Sequence, residues 1–398
     1  MKFSNRINKM EQSPIRKLIP FANKVKQKGI KVIHLNIGQP DIKTPKEFLE
    51  AVQHVDINVL EYAPSQGIDK TIETTQLYLH NYGLDFDLDE IIITSGASEG
   101  LIFSIMAICD PGDEILTIEP YYPNYNAFCE MADAKLVGIP TRVEDQFKLP
   151  GIEEFEKKIN DKTRAILLSS PANPTGRVYT KEEIDTVVEV AKKHDLFILA
   201  DEVYREFNFT DREFVSFGDY KEMDQQVIML DSISKKYSAC GARIGSVASK
   251  NKEFMNHILK MAQARLSVST LDQIGAGAMD LVDDDFVFEN RKIYKRRRDI
   301  LDAALEKIPG VEYAIPEGAF YTIVKFPVED AEEFIIWTLE NIQIDNTTVL
   351  LTPAESFYTE EGRGKNEARL SYCVSDKDVE LAGRILAKAI EEYPKKTI

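Results

Sequence analysis

The chain has 398 residues, 43% hydrophobic and 29% charged, a balance that excludes a disordered or fibrous protein and is long enough for two domains, or one large α/β domain with an appendage. Its 66 acidic and 49 basic residues give a formal charge of −17, which argues against nucleic acid or an anionic membrane as partner and for small molecules. Five histidines and four cysteines (Cys109, Cys129, Cys240, Cys373), with no CxxC pair or histidine cluster, leave little material for a metal site, and none is expected; a disulfide framework is equally disfavoured.

In chain order, the N-terminal MKFSNRINKM lacks an apolar run, and no later stretch approaches the roughly 18 apolar residues of a membrane span, so a cytoplasmic protein is expected. Residues 1–44 are too few for a core of their own and are expected to pack on a small domain. Short apolar runs then predict seven strands, at Ile91–Thr94, Glu114–Ile118, Lys135–Ile139, Ala165–Leu168, Phe197–Ala200, Val227–Leu230 and Ile244–Ala248. Thr180 followed by Glu183 forms a capping-box pattern opening a helix to about Lys193, the crossover that a parallel strand pair requires. Strands alternating with helices predict an α/β domain over residues 45–283, a mostly parallel seven-stranded sheet flanked by helices.

The pattern changes after about Asp283. A long helix is expected over Phe286–Ile308, and its run RKIYKRRRD reads as a charged face turned to water. Strands at Tyr321–Phe326 and Arg369–Cys373, with helices around Glu332–Asn341 and Asp376–Glu391, predict a small α+β domain over residues 284–398.

Ligands of open α/β sheets bind beyond the carboxyl ends of the strands, which directs attention to four turns: SGASEG (Ser95–Gly100), SSPANPTG (Ser169–Gly176), ADEVY (Ala200–Tyr204) and DSISKKYSACGARIG (Asp231–Gly245). In the last, Lys235 lies between Ser232 and Arg243, two groups suited to a phosphate. An amine there can condense with an aldehyde, and pyridoxal phosphate carries an aldehyde on a ring whose nitrogen needs an acid; Asp201 ends an apolar strand where it could serve. By chemistry alone Lys236 could also react, and the spacing to Ser232 and Arg243 selects Lys235. GARIG lacks the GxGxxG spacing of a dinucleotide site.

The motif SxSK followed by GxRxG (Ser232, Ser234, Lys235, Gly241, Arg243, Gly245), after NPTG and DEVY, resembles class I and II aminotransferases of the fold-type I pyridoxal phosphate family, over nearly the whole chain. The resemblance implies a pyridoxal 5'-phosphate enzyme of large and small domains, acting as a homodimer with shared sites. It implies that Lys235 is the Schiff-base lysine and the proton-moving base, with a lowered pKa, and that Asp201 pairs with the ring nitrogen. Asn173 and Tyr204 are implied to bond the phenolic oxygen. Ser232, Arg243, Ser98 and the amides of Gly96 and Ala97 are implied to hold the phosphate. Tyr122 is favoured over Tyr121 for stacking on the ring because Pro123 follows it, and Tyr62 resembles a tyrosine donated across the dimer.

For substrate, the resemblance implies that Arg369 grips the α-carboxylate, with Asn173 and the Gly38 backbone beside it. Ser98 stands where many bacterial aspartate aminotransferases carry a lysine, whereas Arg265, four residues before Ser269, has the spacing of a distal-carboxylate arginine contributed by a partner subunit. The expected reaction is ping-pong exchange of an amino group between an L-amino acid and a 2-oxo acid, with aspartate, glutamate or aromatic substrates. The alternative enzyme is a β-elimination lyase of the same fold. A regulator fused to a DNA-binding domain is disfavoured by the acidic charge and the short N-terminal segment.

Overall fold

The structure is a computed structural model and describes residues 1–283 and 285–394. In chain order its strands are β1 (Lys31–His34), β2 (Ile91–Ser95), β3 (Glu114–Glu119), β4 (Lys135–Pro140), β5 (Thr163–Ser169), β6 (Phe197–Asp201), β7 (Val227–Ser232), β8 (Ile244–Ala248), β9 (Glu312–Tyr313), β10 (Tyr321–Lys325), β11 (Thr347–Leu350), β12 (Thr352–Pro353) and β13 (Glu367–Ser371). Strands β2 to β8 are the seven expected from the apolar runs. They form one sheet in the order β2-β8-β7-β6-β5-β3-β4, and β8 alone runs antiparallel to its neighbours.

The pleat sends alternate residues to opposite faces, and both faces are covered. Ile91, Ile93, Leu116, Ile118, Ile166 and Ile198 join one buried cluster, whereas Ile92, Ile115, Ala165, Leu167 and Leu199 join the other. This is why the strands read as unbroken apolar runs. Between β5 and β6 the helix Lys181–Lys193 opens on the capping box of Thr180 and Glu183 and buries Ile184, Val187, Val188 and Ala191 at helical spacing. Several strands extend past their apolar run by a polar residue at the carboxyl end: Ser95, Ser169, Asp201 and Ser232.

A second unit holds the four-stranded sheet β12-β13-β10-β9, entirely antiparallel, with the helices Asp285–Leu305, Ala331–Asn341 and Asp376–Glu392 around its own core. The N-terminal segment contributes to it: β1 pairs in parallel with β11, and Leu18, Ala22 and Val25 enter the same core. The first helix, Asn5–Lys9, lies instead by the large sheet unit, where Arg6 Nη1 donates to the Met131 carbonyl at 3.2 Å. Of the span anticipated for the small domain, residues 284 and 395–398 lie outside the described residues.

The basic run on the long helix turns Lys292, Lys295 and Arg296 to water, as its composition suggests, but not Arg297. Arg297 is only 7% exposed and grips Asp41 through both terminal nitrogens, at 2.6 and 3.0 Å; Arg296 pairs with Asp376 and Arg291 with Glu206. Opposite charges from distant chain segments convert the run into a clasp on the N-terminal segment, a pairing no local pattern reveals. Among the described residues, no helix is long and apolar enough to cross a membrane and no cluster is suited to a metal ion; all four cysteines are free thiols.

Candidate active site

A cavity of about 620 Å³ opens at the carboxyl ends of the large sheet, where the second unit and the N-terminal segment meet it. Its acidic end is Asp201. Tyr125 donates to Asp201 Oδ2 at 2.6 Å, while Oδ1 is buried without a partner. Burial pushes the carboxyl up to about 6 despite the Tyr125 hydrogen bond, which acts in the opposite direction. An orphaned carboxylate oxygen facing a cavity is a place for a cationic N–H. Tyr125 escaped the sequence reading because it lies within a helix, Asn124–Met131, rather than in one of the four turns.

The two adjacent lysines separate completely. Lys235 lines the cavity and donates to the Gly38 carbonyl at 2.8 Å, whereas Lys236 points away, buried against Asp231 Oδ2 at 2.5 Å and over the Tyr78 ring. A short helix, Ile233–Lys236, turns consecutive residues to different sides, so only one amine reaches the cavity. The amine does not have the depressed pKa expected of it. Burial favours its neutral form, but the acidic phenols and thiols around it, Tyr321 and Cys240 foremost, outweigh burial and hold it above the usual lysine value in the cofactor-free chain.

Removing Asp231 tests the second lysine. Asp231→Ala strands the buried Lys236 ammonium and destabilises the fold by about 3–5 kcal/mol, whereas Asp231→Ala/Lys236→Met recovers most of that loss; chemical denaturation of the three proteins measures both.

Next to Lys235, a cradle for an anion forms at the start of the helix Gly96–Ile108. Gly96 has φ +69, and a side chain there would collide with the Arg243 guanidinium. Ala97, Ser98, Ser232 and Arg243 line the cavity at this end, joining first-turn amides, hydroxyls and a guanidinium. Ser232 Oγ lies 2.7 Å from Ser234 Oγ and 2.8 Å from the Ile244 carbonyl, which fixes its position.

At the opposite wall stands Arg369, 1% exposed, donating to the Asn36 carbonyl at 2.8 Å and to Asn173 Oδ1 at 3.1 Å. Its guanidinium lies over the Tyr321 ring, its Nε is unpartnered, and no carboxylate among the described residues pairs with it. A buried cation without a counterion awaits an anion. Tyr204 hydroxyl meets Tyr321 hydroxyl at 2.9 Å, and a side chain at Gly38 would run into Tyr321, so that backbone can approach only as glycine. Tyr321, on β10, is a cavity residue that no motif announced.

Tyr122 lines the cavity, whereas Tyr121 is buried in the apolar cluster on one sheet face. Two residues lie elsewhere. Tyr62 is 81% exposed and outside the cavity, and Arg265 donates to the Ile93 carbonyl at 3.2 Å with Glu99 at 3.4 Å, also outside it.

An acid with a free oxygen, a buried primary amine, an anion cradle and an unpaired arginine within one cavity fit an aromatic aldehyde that bears a phosphate and a basic ring nitrogen. The sequence pattern of the family described as aminotransferase class I and II matches residues 30–386. The chain is 31% identical to a probable aspartate/prephenate aminotransferase of Aquifex aeolicus over 98% of each chain. Among solved structures, the aspartate aminotransferase of Thermus thermophilus with maleate is similar at a TM-score of 0.89, with 27% identity over 98% of this chain and all of that one. An alanine aminotransferase of Pyrococcus furiosus is similar at 0.90, with 29% identity and the same coverage.

Proposed function

This chain belongs to the class I and II aminotransferases, and from that premise we propose that it moves an amino group between aspartate or glutamate and a 2-oxo acid, as a cytoplasmic homodimer using pyridoxal 5'-phosphate. The convergence of Lys235, the free Asp201 oxygen and the unpaired Arg369 on one cavity carries this reading. Names of relatives at about 30% identity over nearly the full length support the aspartate assignment.

When bound, the cofactor supplies an aldehyde and a ring that takes up the electrons left when a proton departs from the substrate Cα. Asp201 Oδ1 would hold the ring nitrogen, and burial among apolar strands strengthens that charge pair. Asn173 and Tyr204 would bond the phenolic oxygen, with Tyr122 against the ring face. Gly96, Ala97, Ser98, Ser232 and Arg243 would hold the phosphate, joined by Tyr62 from a dimer partner, for which its exposure leaves it free. Arg369 would grip the α-carboxylate in a bidentate fork, with Gly38 and Asn173 alongside. The Lys235 amine would hold the aldehyde and, in its neutral form, would take the proton from the substrate Cα.

Aspartate and 2-oxoglutarate should give oxaloacetate and glutamate with the purified protein. Ammonia and pyruvate from a cysteine-like substrate, without amino transfer, would overturn the reading. Arg369→Lys keeps the charge but loses the fork, so kcat/KM should fall by about 10²-fold or more for all amino donors alike, because each carries the same α-carboxylate. Steady-state kinetics over a donor panel would register this as a uniform loss.

A further inference from the structure

The Tyr204 and Tyr321 hydroxyls meet across the boundary between the two units. Tyr204 comes from the turn after β6 in the large unit and Tyr321 from β10 in the small unit, and both side chains are buried at the cavity wall. Their oxygens lie 2.9 Å apart, and among the described residues Tyr321 is the only hydrogen-bond partner of the Tyr204 hydroxyl.

Tyr321 is held in place from several directions. Its strand pairs with β13, which carries Arg369, and the guanidinium lies over the Tyr321 ring at 4.5 Å from the centroid. The Tyr204 ring meets it edge-on, with 5.7 Å between centroids. The Gly38 backbone closes the remaining side: its carbonyl oxygen is 3.4 Å from the Tyr321 hydroxyl and already accepts from Lys235 at 2.8 Å.

A phenol has one proton to give, and that count sets the direction of the contact. Burial, with Tyr321 beside it, holds the Tyr204 phenol well above the ordinary tyrosine value, so it meets a ligand as a donor. Once Tyr204 gives its proton to the phenolic oxygen of the cofactor, its own oxygen can only accept. Tyr321 is the described donor within reach, and turning its proton to Tyr204 leaves the Gly38 carbonyl to Lys235.

We propose that Tyr321 is a positioning residue whose hydroxyl donates to Tyr204 and thereby fixes and strengthens the hydrogen bond that Tyr204 gives to the phenolic oxygen of the cofactor. A hydroxyl that accepts one hydrogen bond donates a stronger one, because the bonds polarise each other. The role rests on the reading in which Tyr204 bonds that oxygen.

The test compares cofactor-loaded wild type, Tyr321→Phe, Tyr204→Phe and the double variant by visible absorption from pH 5 to 10, which needs no turnover. The colour reports the proton held between the Lys235 nitrogen and the phenolic oxygen. Donors to that oxygen draw off its negative charge and loosen the proton, so losing a donor raises the midpoint. Tyr321→Phe keeps the ring over Arg369 and removes only the hydroxyl, and its midpoint should lie about 0.5–1 pH unit above wild type. In the Tyr204→Phe background the same substitution should add nothing, since the group through which Tyr321 acts is gone. Lys235, Arg369, Tyr122 and Asp201 also face the pair and are common to all four proteins, so differences between the curves isolate the two hydroxyls. A shift in Tyr204→Phe without one in Tyr321→Phe overturns the proposal alone, as does an equal effect of Tyr321→Phe in both backgrounds. No shift in either single variant, or a colour that does not change with pH, overturns the placement of Tyr204 at the phenolic oxygen and the proposal with it.

Discussion

Replacing Lys235 with alanine should lower amino transfer by about 10⁴-fold or more and leave the protein folded. Among the described residues the side chain is the only amine in the cavity, and its alternative, Lys236, is locked onto Asp231 on the far side of the same turn. The loss combines a covalent anchor with a general base, and a positioned base alone is worth about 10²–10⁴-fold. Truncation removes a hydrogen bond to the Gly38 carbonyl, a modest cost to the fold. Two measurements check the result: the yellow absorption of the cofactor-bound protein should be absent from Lys235→Ala, and added small primary amines should recover part of the rate. Wild-type colour and rate in Lys235→Ala would remove the residue from its assigned role.

Asp201→Ala should cost about 10³-fold in kcat, since a preorganised charge in a water-poor site contributes about 3–4 kcal/mol where charge develops. The same residue carries a pH signature in the cofactor-free protein. Its folded pKa of about 6 lies above the ordinary 3.8, so the folded chain binds this proton more tightly than the unfolded chain. The resulting stability is present in full below about pH 4 and is lost as pH rises through about 6, at most about 3 kcal/mol. Asp201→Asn, neutral at every pH, should not show this decline. Denaturation of cofactor-free wild type and Asp201→Asn across pH 4 to 7 measures the difference, and parallel curves would show that burial does not hold the proton. The Tyr125 hydrogen bond works against burial, so Tyr125→Phe should move the midpoint of the decline upward.

The strands and their order of appearance were legible because each is a short apolar run, and burial on both faces of a parallel sheet requires such runs. The crossover helix was legible from Thr180 and Glu183, whose two reciprocal hydrogen bonds span only three residues. The motifs around Asn173, Asp201 and Lys235 were legible for the same reason: each is a single turn at a strand end, and a turn is a local object.

What local spacing could not supply was direction and partnership across the chain. Which of two adjacent lysines enters the cavity depends on how one turn of helix is rotated against Asp231 and Tyr78. Arg297 looked as solvated as its neighbours on the charged helix because Asp41, its partner, lies more than 250 residues away in sequence. Tyr321 reaches the cavity from β10, Tyr125 holds Asp201 from a helix behind it, and Asn36 joins the Ile15 carbonyl to Arg369 by hydrogen bonds at both ends. Hydrophobic period and turn chemistry are properties of a few consecutive residues, so the sequence by itself determined the sheet and its turns. Electrostatic and hydrogen-bond pairing act through space, so only the tertiary structure decided which buried charges find partners and which, like Arg369, remain open to a ligand.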